Sequence, residues 1–152
     1  MNPLVRRYLR TAIAFLAVGL LLGLWMLHAR EFGGWLPPRV RSAHTHALLV
    51  GFVMLMITGV ALWMFPRPRP DDAVFRPRLA ALAWWGIAGG TALRVALEVG
   101  LDTSASAAWR ALLVAAGFAQ TAGVLLFFAT MWTRIRAGGA RSERRGGTGA
   151  GA

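Results

Sequence analysis

The chain has 152 residues, 57% of them hydrophobic, and its mean hydropathy is +0.53. The length suits one domain, but this apolar fraction is too high for an ordinary soluble core, so lipid must solvate most of the chain. The formal charge of +11 does not indicate nucleic-acid binding, because the arginines flank apolar runs and form no patch with interleaved aromatic residues. No cysteine is present, which excludes disulfides and cysteine-ligated metal sites.

Four apolar runs follow one another, each close to the roughly 20 helical residues that cross the hydrocarbon core of a bilayer. They predict spans over residues 11–29, 47–65, 79–99 and 111–132. We interpret the first as an uncleaved signal anchor, since no clean cleavage site follows it. Pro66 should end the second, because proline cannot continue a helical hydrogen-bond ladder. The third is the polar exception, since it contains Arg94 and Glu98.

Short connections between the runs leave no room for a second domain and predict that neighbouring helices pack antiparallel. The expected fold class is all-α, an integral membrane antiparallel four-helix bundle that occupies residues 1–136 and contacts membrane lipid. Residues 137–152 are rich in Gly and Arg without apolar periodicity, which predicts a disordered tail near anionic headgroups.

The arginines also predict the direction of the spans. If the N-terminus lies in the cytoplasm, twelve arginines flank the cytoplasmic ends of the spans and four flank the opposite ends. The positive-inside rule therefore favours a cytoplasmic N-terminus and a cytoplasmic C-terminus. We expect the inner membrane of a bacterium.

With this topology, all three histidines are predicted at one depth, about a turn inside the outer interface. His28 lies at the outer end of the first span, whereas His44 and His46 lie at the outer entrance of the second. Imidazole is the commonest neutral metal ligand, and ionisable side chains at membrane depth are costly and usually functional. The cluster is therefore a candidate cofactor or metal site, and the alternative is that these histidines only anchor helix ends at the interface.

His44 and His46 point about 160° apart on a helix, so the two cannot bind one ion together. The face that follows His46 reads as lipid or core packing. The face that follows His44 has three small side chains that would leave room for a flat group, and consists of Ala47, Gly51, Leu55 and Thr58. This geometry favours His44 as the residue that faces a cofactor.

Residues 42–66, SAHTHALLVGFVMLMITGVALWMFP, resemble the second transmembrane helix of heme-copper oxidase catalytic subunits (cytochrome c oxidase subunit I), including the related nitric oxide reductases. In that family the helix opens with a His-Thr or His-Gly pair and runs through Leu, Met, Phe and Gly to a proline. Its opening histidine is an axial ligand of the low-spin heme. The resemblance thus implies heme b, with His44 as ligand, or His46 if the alignment slips by two residues.

The family's later histidines, which hold the second heme and the adjacent metal, are absent here. The resemblance therefore implies a single heme site without oxygen-reducing or NO-reducing chemistry, and we lean against an enzyme. Arg94 would pair with the heme propionates, or with Glu98 four residues later. The best candidate for the second iron ligand is His28. The other candidates are His44 or His46 of a symmetry-related subunit, Met26, Met54 and Met56.

Three functions remain open. The first is a small heme b protein for electron transfer or for binding NO or O2. The second is a copper- or zinc-handling membrane protein that uses His28 and one histidine of the second span, with Glu31 or Met26. The third is a non-catalytic subunit or assembly partner of a respiratory complex, with the histidines at its interface. Partners would be a second copy of the chain or subunits of that complex.

Overall fold

The computed structural model describes residues 2–65, 77–100 and 106–134, and within these ranges the secondary structure is entirely helical. Four long helices follow in order: α1 (Pro3–Phe32), α2 (Val40–Met64), α3 (Pro77–Gly100) and α4 (Ala107–Met131), with a 3₁₀ turn over Trp132–Arg134. All four are long and apolar enough to cross a membrane. The predicted all-α transmembrane bundle is confirmed.

The helices cover the four predicted spans to within a residue and extend past most of their ends. α1 begins well before the predicted span because the arginine-rich segment that precedes it is helical too. The predicted stop at Pro66 and the predicted disordered tail, residues 137–152, lie outside the described residues.

Local chemistry explains both ends of α1. The Asn2 side chain accepts a hydrogen bond from the backbone N–H of Leu4 at 2.9 Å, and Pro3 occupies the first helical position. Such residues start helices because the first N–H groups lack helical partners. At the other end Gly33 adopts φ 74°, a left-handed conformation that favours glycine. The chain therefore turns sharply at Gly33. We use the term distal end for the end of the bundle at which α1 ends and α4 begins.

The interior of α2 changes helix type directly after the two histidines. An α-helical segment, Val40–His46, leads into a π-helix, Ala47–Met54, and then into a second α-helical segment, Leu55–Met64. π-Helical turns have i to i+5 hydrogen bonds and occur frequently at functional sites. The backbone keeps a right-handed helical conformation through both junctions, so α2 is one continuous helix.

Helices α3 and α4 pack backbone against backbone. A Cβ atom at Gly90 would lie 2.7 Å from the backbone nitrogen of Gln120, and one at Gly123 would lie 2.6 Å from that of Ile87. Both distances are too short for any side chain, so only glycine permits this approach. Small residues at such spacing are typical of helix contacts in membranes.

One polar contact ties α1 to α3 in the half opposite the distal end. Tyr8 is fully buried, its hydroxyl donates a hydrogen bond to the carbonyl of Ala80 at 2.8 Å, and its ring lies 5.9 Å from that of Phe127. Large apolar side chains cover much of the outside of the bundle, as a lipid-facing surface requires. The core is therefore confined to the contacts between helices, where small, aliphatic and aromatic side chains meet.

Candidate functional site

The imidazole of His44 lies in the seam between α1 and α2. Its Nδ1 atom is 2.8 Å from the carbonyl oxygen of Gly19. Because a carbonyl can only accept, Nδ1 carries the proton in the neutral ring and Nε2 keeps a lone pair. The ring also lies against Gly23, where a Cβ atom would come within 2.9 Å of Cε1. Two glycines one turn apart on α1 thus accommodate and orient this side chain.

No residue in the described ranges forms a hydrogen bond with Nε2 of His44, and the side chain is only half-buried. Metal-binding histidines characteristically donate one ring N–H to a carbonyl or carboxylate, which fixes the tautomer and raises the basicity of the other nitrogen. His44 has this arrangement. His46 has it too, through the Ser42 carbonyl, but His44 alone of these two lies against Gly23, which lines an open groove.

The small-residue face that follows His44 is not open, so the prediction that it leaves room for a flat group is wrong. Phe15 of α1 packs against Gly51 so closely that a Cβ atom there would overlap its ring. Leu48 covers Gly19 in the same way. Side chains that cross between α1 and α2 fill the space left by each glycine, because interiors pack to high density.

Room exists instead on the distal side of His44. A groove of about 750 Å³ begins at Gly23 and runs between the end of α1, the connecting loop and the start of α2. Its rim carries the exposed Arg30 and Arg41. Arg30 is paired with Glu31 at 2.7 Å, whereas Arg41 makes no ion pair within the described part of the chain. The groove therefore combines apolar walls with a cationic mouth.

His28 lies away from His44, so the prediction of a single depth for all three histidines is wrong. It follows Gly23 by five residues, which places it about 7.5 Å further along α1 and about 140° around its axis. The side chain is exposed, and its ring packs on that of Phe32 at 5.0 Å. The structure does not bring His28 beside His44.

His46 points towards α3 and belongs to a separate polar cluster. Its Nδ1 lies 2.8 Å from the carbonyl oxygen of Ser42. The Ser42 hydroxyl donates to Oε1 of Glu98 at 2.8 Å, and Oε2 of Glu98 is 3.8 Å from Nδ1 of His46. The residues of α2 that follow on this face, among them Leu49 and Ile57, are exposed towards lipid, as expected.

Arg94 completes that cluster through the predicted ion pair with Glu98, whose Oε1 lies 3.0 Å from Nε of Arg94. The guanidinium is 27% exposed and lies over Gly117 in a groove of about 410 Å³ on the surface of α3 and α4. His44 lies in the α1–α2 seam instead. No described contact joins Arg94 to His44, so the pairing of Arg94 with a group bound at His44 stays a prediction.

Two features of the site were not predicted from the sequence. Ser42, which links α2 to Glu98, precedes the histidines without any distinguishing spacing. Gly19 and Gly23 form a Gly-x-x-x-Gly motif, which is typical of close helix packing in membranes, but Gly19 also supplies the carbonyl that orients His44. A Gly-x-x-x-Gly motif in one span, followed by a histidine near the start of the next span, is the sequence signal that could have indicated this contact.

The described ranges contain no group of three or more His, Asp or Glu side chains placed to hold a metal ion.

Two buried polar side chains have an atom without a hydrogen-bond partner in the described part of the chain. The side chain of Glu98 is only 3% exposed, and its Oε2 atom has no such partner. The amide nitrogen of Gln120 likewise lacks a hydrogen-bond partner within this part of the chain.

A family model described as "Cytochrome C and Quinol oxidase polypeptide I" matches residues 3–144. This range contains the helix-two resemblance over residues 42–66 and extends it to all four spans. The resemblance to heme-copper oxidase catalytic subunits is thereby confirmed. No curated protein and no solved structure matches the chain.

Proposed function

The chain belongs to the family of cytochrome c and quinol oxidase polypeptide I, and we propose that it is a heme b-binding membrane protein with His44 as an axial ligand. It serves electron transfer or the binding of NO or O2. The observation that carries the proposal is the position of the His44 ring, which lies against Gly23 at the end of the open groove and is held at Nδ1 by the Gly19 carbonyl at 2.8 Å, so that Nε2 is left to bind iron.

The residues around His44 fit one side of such a group. Gly23 is a wall of the groove and also the surface on which the His44 ring rests, so the two features adjoin. The apolar walls suit a macrocycle, and Arg41 at the rim suits a carboxylate, because a guanidinium can bind it with two hydrogen bonds. When bound, heme would supply one-electron transfer or the binding of a diatomic gas.

The protein's own residues determine how that group would be held. The Gly19 carbonyl keeps the His44 ring in one orientation and strengthens the lone pair of Nε2 as a ligand to a metal. Phe15 and Leu48 fill the seam on the far side of His44, where they pack against Gly51 and Gly19. The burial and hydrogen bonding of His44 would therefore tune a heme held there.

An oxidase reaction is not part of the proposal. The whole chain contains three histidines, and those at positions 28, 44 and 46 supply no further ligands for a second heme with an adjacent metal. The described residues also gather no alternative metal-binding group. The function proposed is therefore that of a single cofactor site on a family scaffold.

An absorbance spectrum tests this function. Protein purified in detergent after heme-supplemented expression should show a Soret band, and His44→Ala should abolish or shift it. His28→Ala is the matched control, because His28 is exposed and turned away from the site, and it should keep the wild-type spectrum. A colourless wild-type protein would refute the proposal.

The same preparation separates the two alternatives. Stoichiometric copper or zinc without heme absorbance would favour metal handling. Copurification with respiratory subunits, again without heme, would favour a role as a structural subunit or assembly partner.

A further inference from the structure

Positive charge is concentrated at the end of the bundle opposite the distal end. Four exposed arginines lie there, three on α1 and one at the start of α3: Arg6, Arg7, Arg10 and Arg78. None of them forms an ion pair with a described residue, and the two acidic residues in the described ranges, Glu31 and Glu98, lie in the distal half. The connection over residues 66–76 adds three arginines and two aspartates. This end is therefore complementary to an anionic partner.

The guanidinium of Arg7 is held in place by an aromatic ring. Its Cζ atom lies over the ring of Trp84 on α3, 5.3 Å from the ring centroid. A guanidinium that lies on an aromatic face keeps the N–H groups at its edge for a ligand. The Trp84 ring is itself fixed, since it packs against the core and against the Trp85 ring at 4.7 Å. Arg7 is therefore pre-organised, and an anion that binds it costs less side-chain entropy.

Arg7 lies at the depth of lipid headgroups. It is four residues, or about 6 Å, inside the start of α1, and Trp84 is seven residues, or about 10 Å, inside the start of α3. These helices are about 45 Å and 36 Å long, so their ends project beyond a hydrocarbon core of about 30 Å. The guanidinium therefore lies near the boundary between headgroups and hydrocarbon.

The surface below Arg7 is apolar and faces lipid. Ala14 and Val18 follow Arg7 on one face of α1, seven and eleven residues later, and both are exposed. On the adjoining part of α3, the side chains of Leu82 and Trp85 are exposed as well. A cation at headgroup depth above an apolar surface matches an amphiphile that has an anionic group above its acyl chains.

We propose that Arg7 and Trp84 form a binding site for one anionic phospholipid. Its phosphate contacts the Arg7 guanidinium, which can bind two phosphate oxygens at once, and its acyl chains lie along α1 and α3. Basic sites between transmembrane helices bind anionic headgroups in other membrane proteins. The site lies at the opposite end of the bundle from the candidate heme site and does not depend on the proposed function.

Thermal unfolding of the purified full-length chain in detergent tests the site. Dioleoyl phosphatidylglycerol should raise Tm in a saturable manner, because a ligand that binds only the folded state stabilises it. Dioleoyl phosphatidylcholine has the same acyl chains without net charge and should raise Tm far less. Equal effects of the two lipids would overturn a site for an anionic headgroup. Inorganic phosphate lacks acyl chains and should have no effect, and a rise equal to that with phosphatidylglycerol would overturn the assignment to lipid.

Two substitutions remove the same charge from different sides of α1. Arg6 points about 160° away from the buried Tyr8 and so faces away from the bundle. The affinity for phosphatidylglycerol should fall about tenfold in Arg7→Ala, as expected when a hydrogen bond to a charged group is lost. In Arg6→Ala it should change less than about twofold at about 0.15 M salt, which screens exposed charges. An equal loss in both variants would mean that only diffuse charge attracts the lipid, and would overturn the site.

Trp84→Leu gives a second comparison, because it leaves every charge in place. Lipid affinity should fall about threefold, since Arg7 loses the ring that orients it. Trp109→Leu, at the distal end, is the control and should bind like the wild type. Wild-type affinity in a folded Trp84→Leu protein would contradict the role of the ring. Circular dichroism without lipid checks the fold, and if Trp84→Leu does not fold, the comparison of Arg7→Ala with Arg6→Ala still decides.

Discussion

The two helix seams of this bundle use glycine in different ways. Between α3 and α4, glycines such as Gly90 and Gly123 bring one backbone against another, and no side chain intervenes. Between α1 and α2, Gly19 and Gly23 receive side chains instead, and the His44 ring rests on the second of them. The first arrangement excludes any ligand, whereas the second holds an imidazole with one nitrogen unused.

The same Gly-x-x-x-Gly spacing therefore gives two kinds of helix contact, and the residues opposite the glycines decide which kind forms. Gly86 and Gly90 meet main-chain atoms of α4, among them the carbonyl of Ala119. Gly19 and Gly23 meet Leu48 and His44, which are large. We therefore expect the α3–α4 seam to govern the stability of the fold and the α1–α2 seam to govern the cofactor.

The largest effect should come from Gly123→Leu. The new Cβ atom would lie 2.6 Å from the backbone nitrogen of Ile87, so the two helices must separate. We expect a loss of about 3 kcal/mol or more in the free energy of unfolding, the upper end for overpacked cores. Denaturant titration in detergent, followed by circular dichroism, measures it. Gly89→Ala is the control, since its nearest neighbour lies at 3.9 Å, and equal stability of the two variants would contradict the close packing.

Glu98→Gln should rank second. It leaves Arg94 in the bilayer without the carboxylate that binds it at 3.0 Å, and Arg94 is only 27% exposed. We expect a loss of about 2 kcal/mol, less than for a fully buried pair because solvent screens part of the charge. The same titration checks it, with Glu31→Gln in the exposed Arg30 pair as a nearly silent control. The Soret band should not move, and a changed band would show that this cluster belongs to the heme site.

Gly23→Ala should have a smaller effect on stability and a large one on the cofactor. The added methyl group would meet Cε1 of His44 at 2.9 Å, and the ring can move aside. We expect a loss of about 1 kcal/mol in unfolding free energy, near the lower end for overpacking. The Soret absorbance should fall several-fold in an otherwise helical protein. An unaltered spectrum would mean that the orientation of His44 is unimportant.

Tyr8→Phe should be the mildest change. It removes the hydrogen bond from the hydroxyl to the Ala80 carbonyl at 2.8 Å but keeps the ring that packs on Phe127. One such bond contributes about 0.5 to 1.5 kcal/mol. Thermal unfolding in detergent measures the change, and a loss comparable to that of Gly123→Leu would mean that Tyr8 contributes far more than one hydrogen bond.

The spans followed from the sequence because a bilayer demands about 20 apolar residues for each crossing, and this requirement is visible in hydropathy alone. The Arg94–Glu98 pair followed as well, since i, i+4 spacing places both on one helix face. Neither depends on how the helices meet.

The relative depth of the histidines could not be predicted from hydropathy or from helical spacing. After Gly33 the chain turns back, and the His44 ring lies against Gly23, nine residues before the last residue of α1. α2 therefore begins inside the end of α1, and His28 stays nearer the distal end. The filling of Gly51 by Phe15 was equally invisible, because it requires the register between two helices.

The central claim is that Nε2 of His44 binds heme iron, and rescue of a cavity variant tests it most directly. His44→Gly removes the imidazole without adding bulk, and free imidazole can then be titrated into the purified, heme-supplemented protein while the Soret region is recorded. We expect the wild-type band to be lost in the variant and restored by imidazole in a saturable manner. A wild-type spectrum of His44→Gly without imidazole would contradict the account.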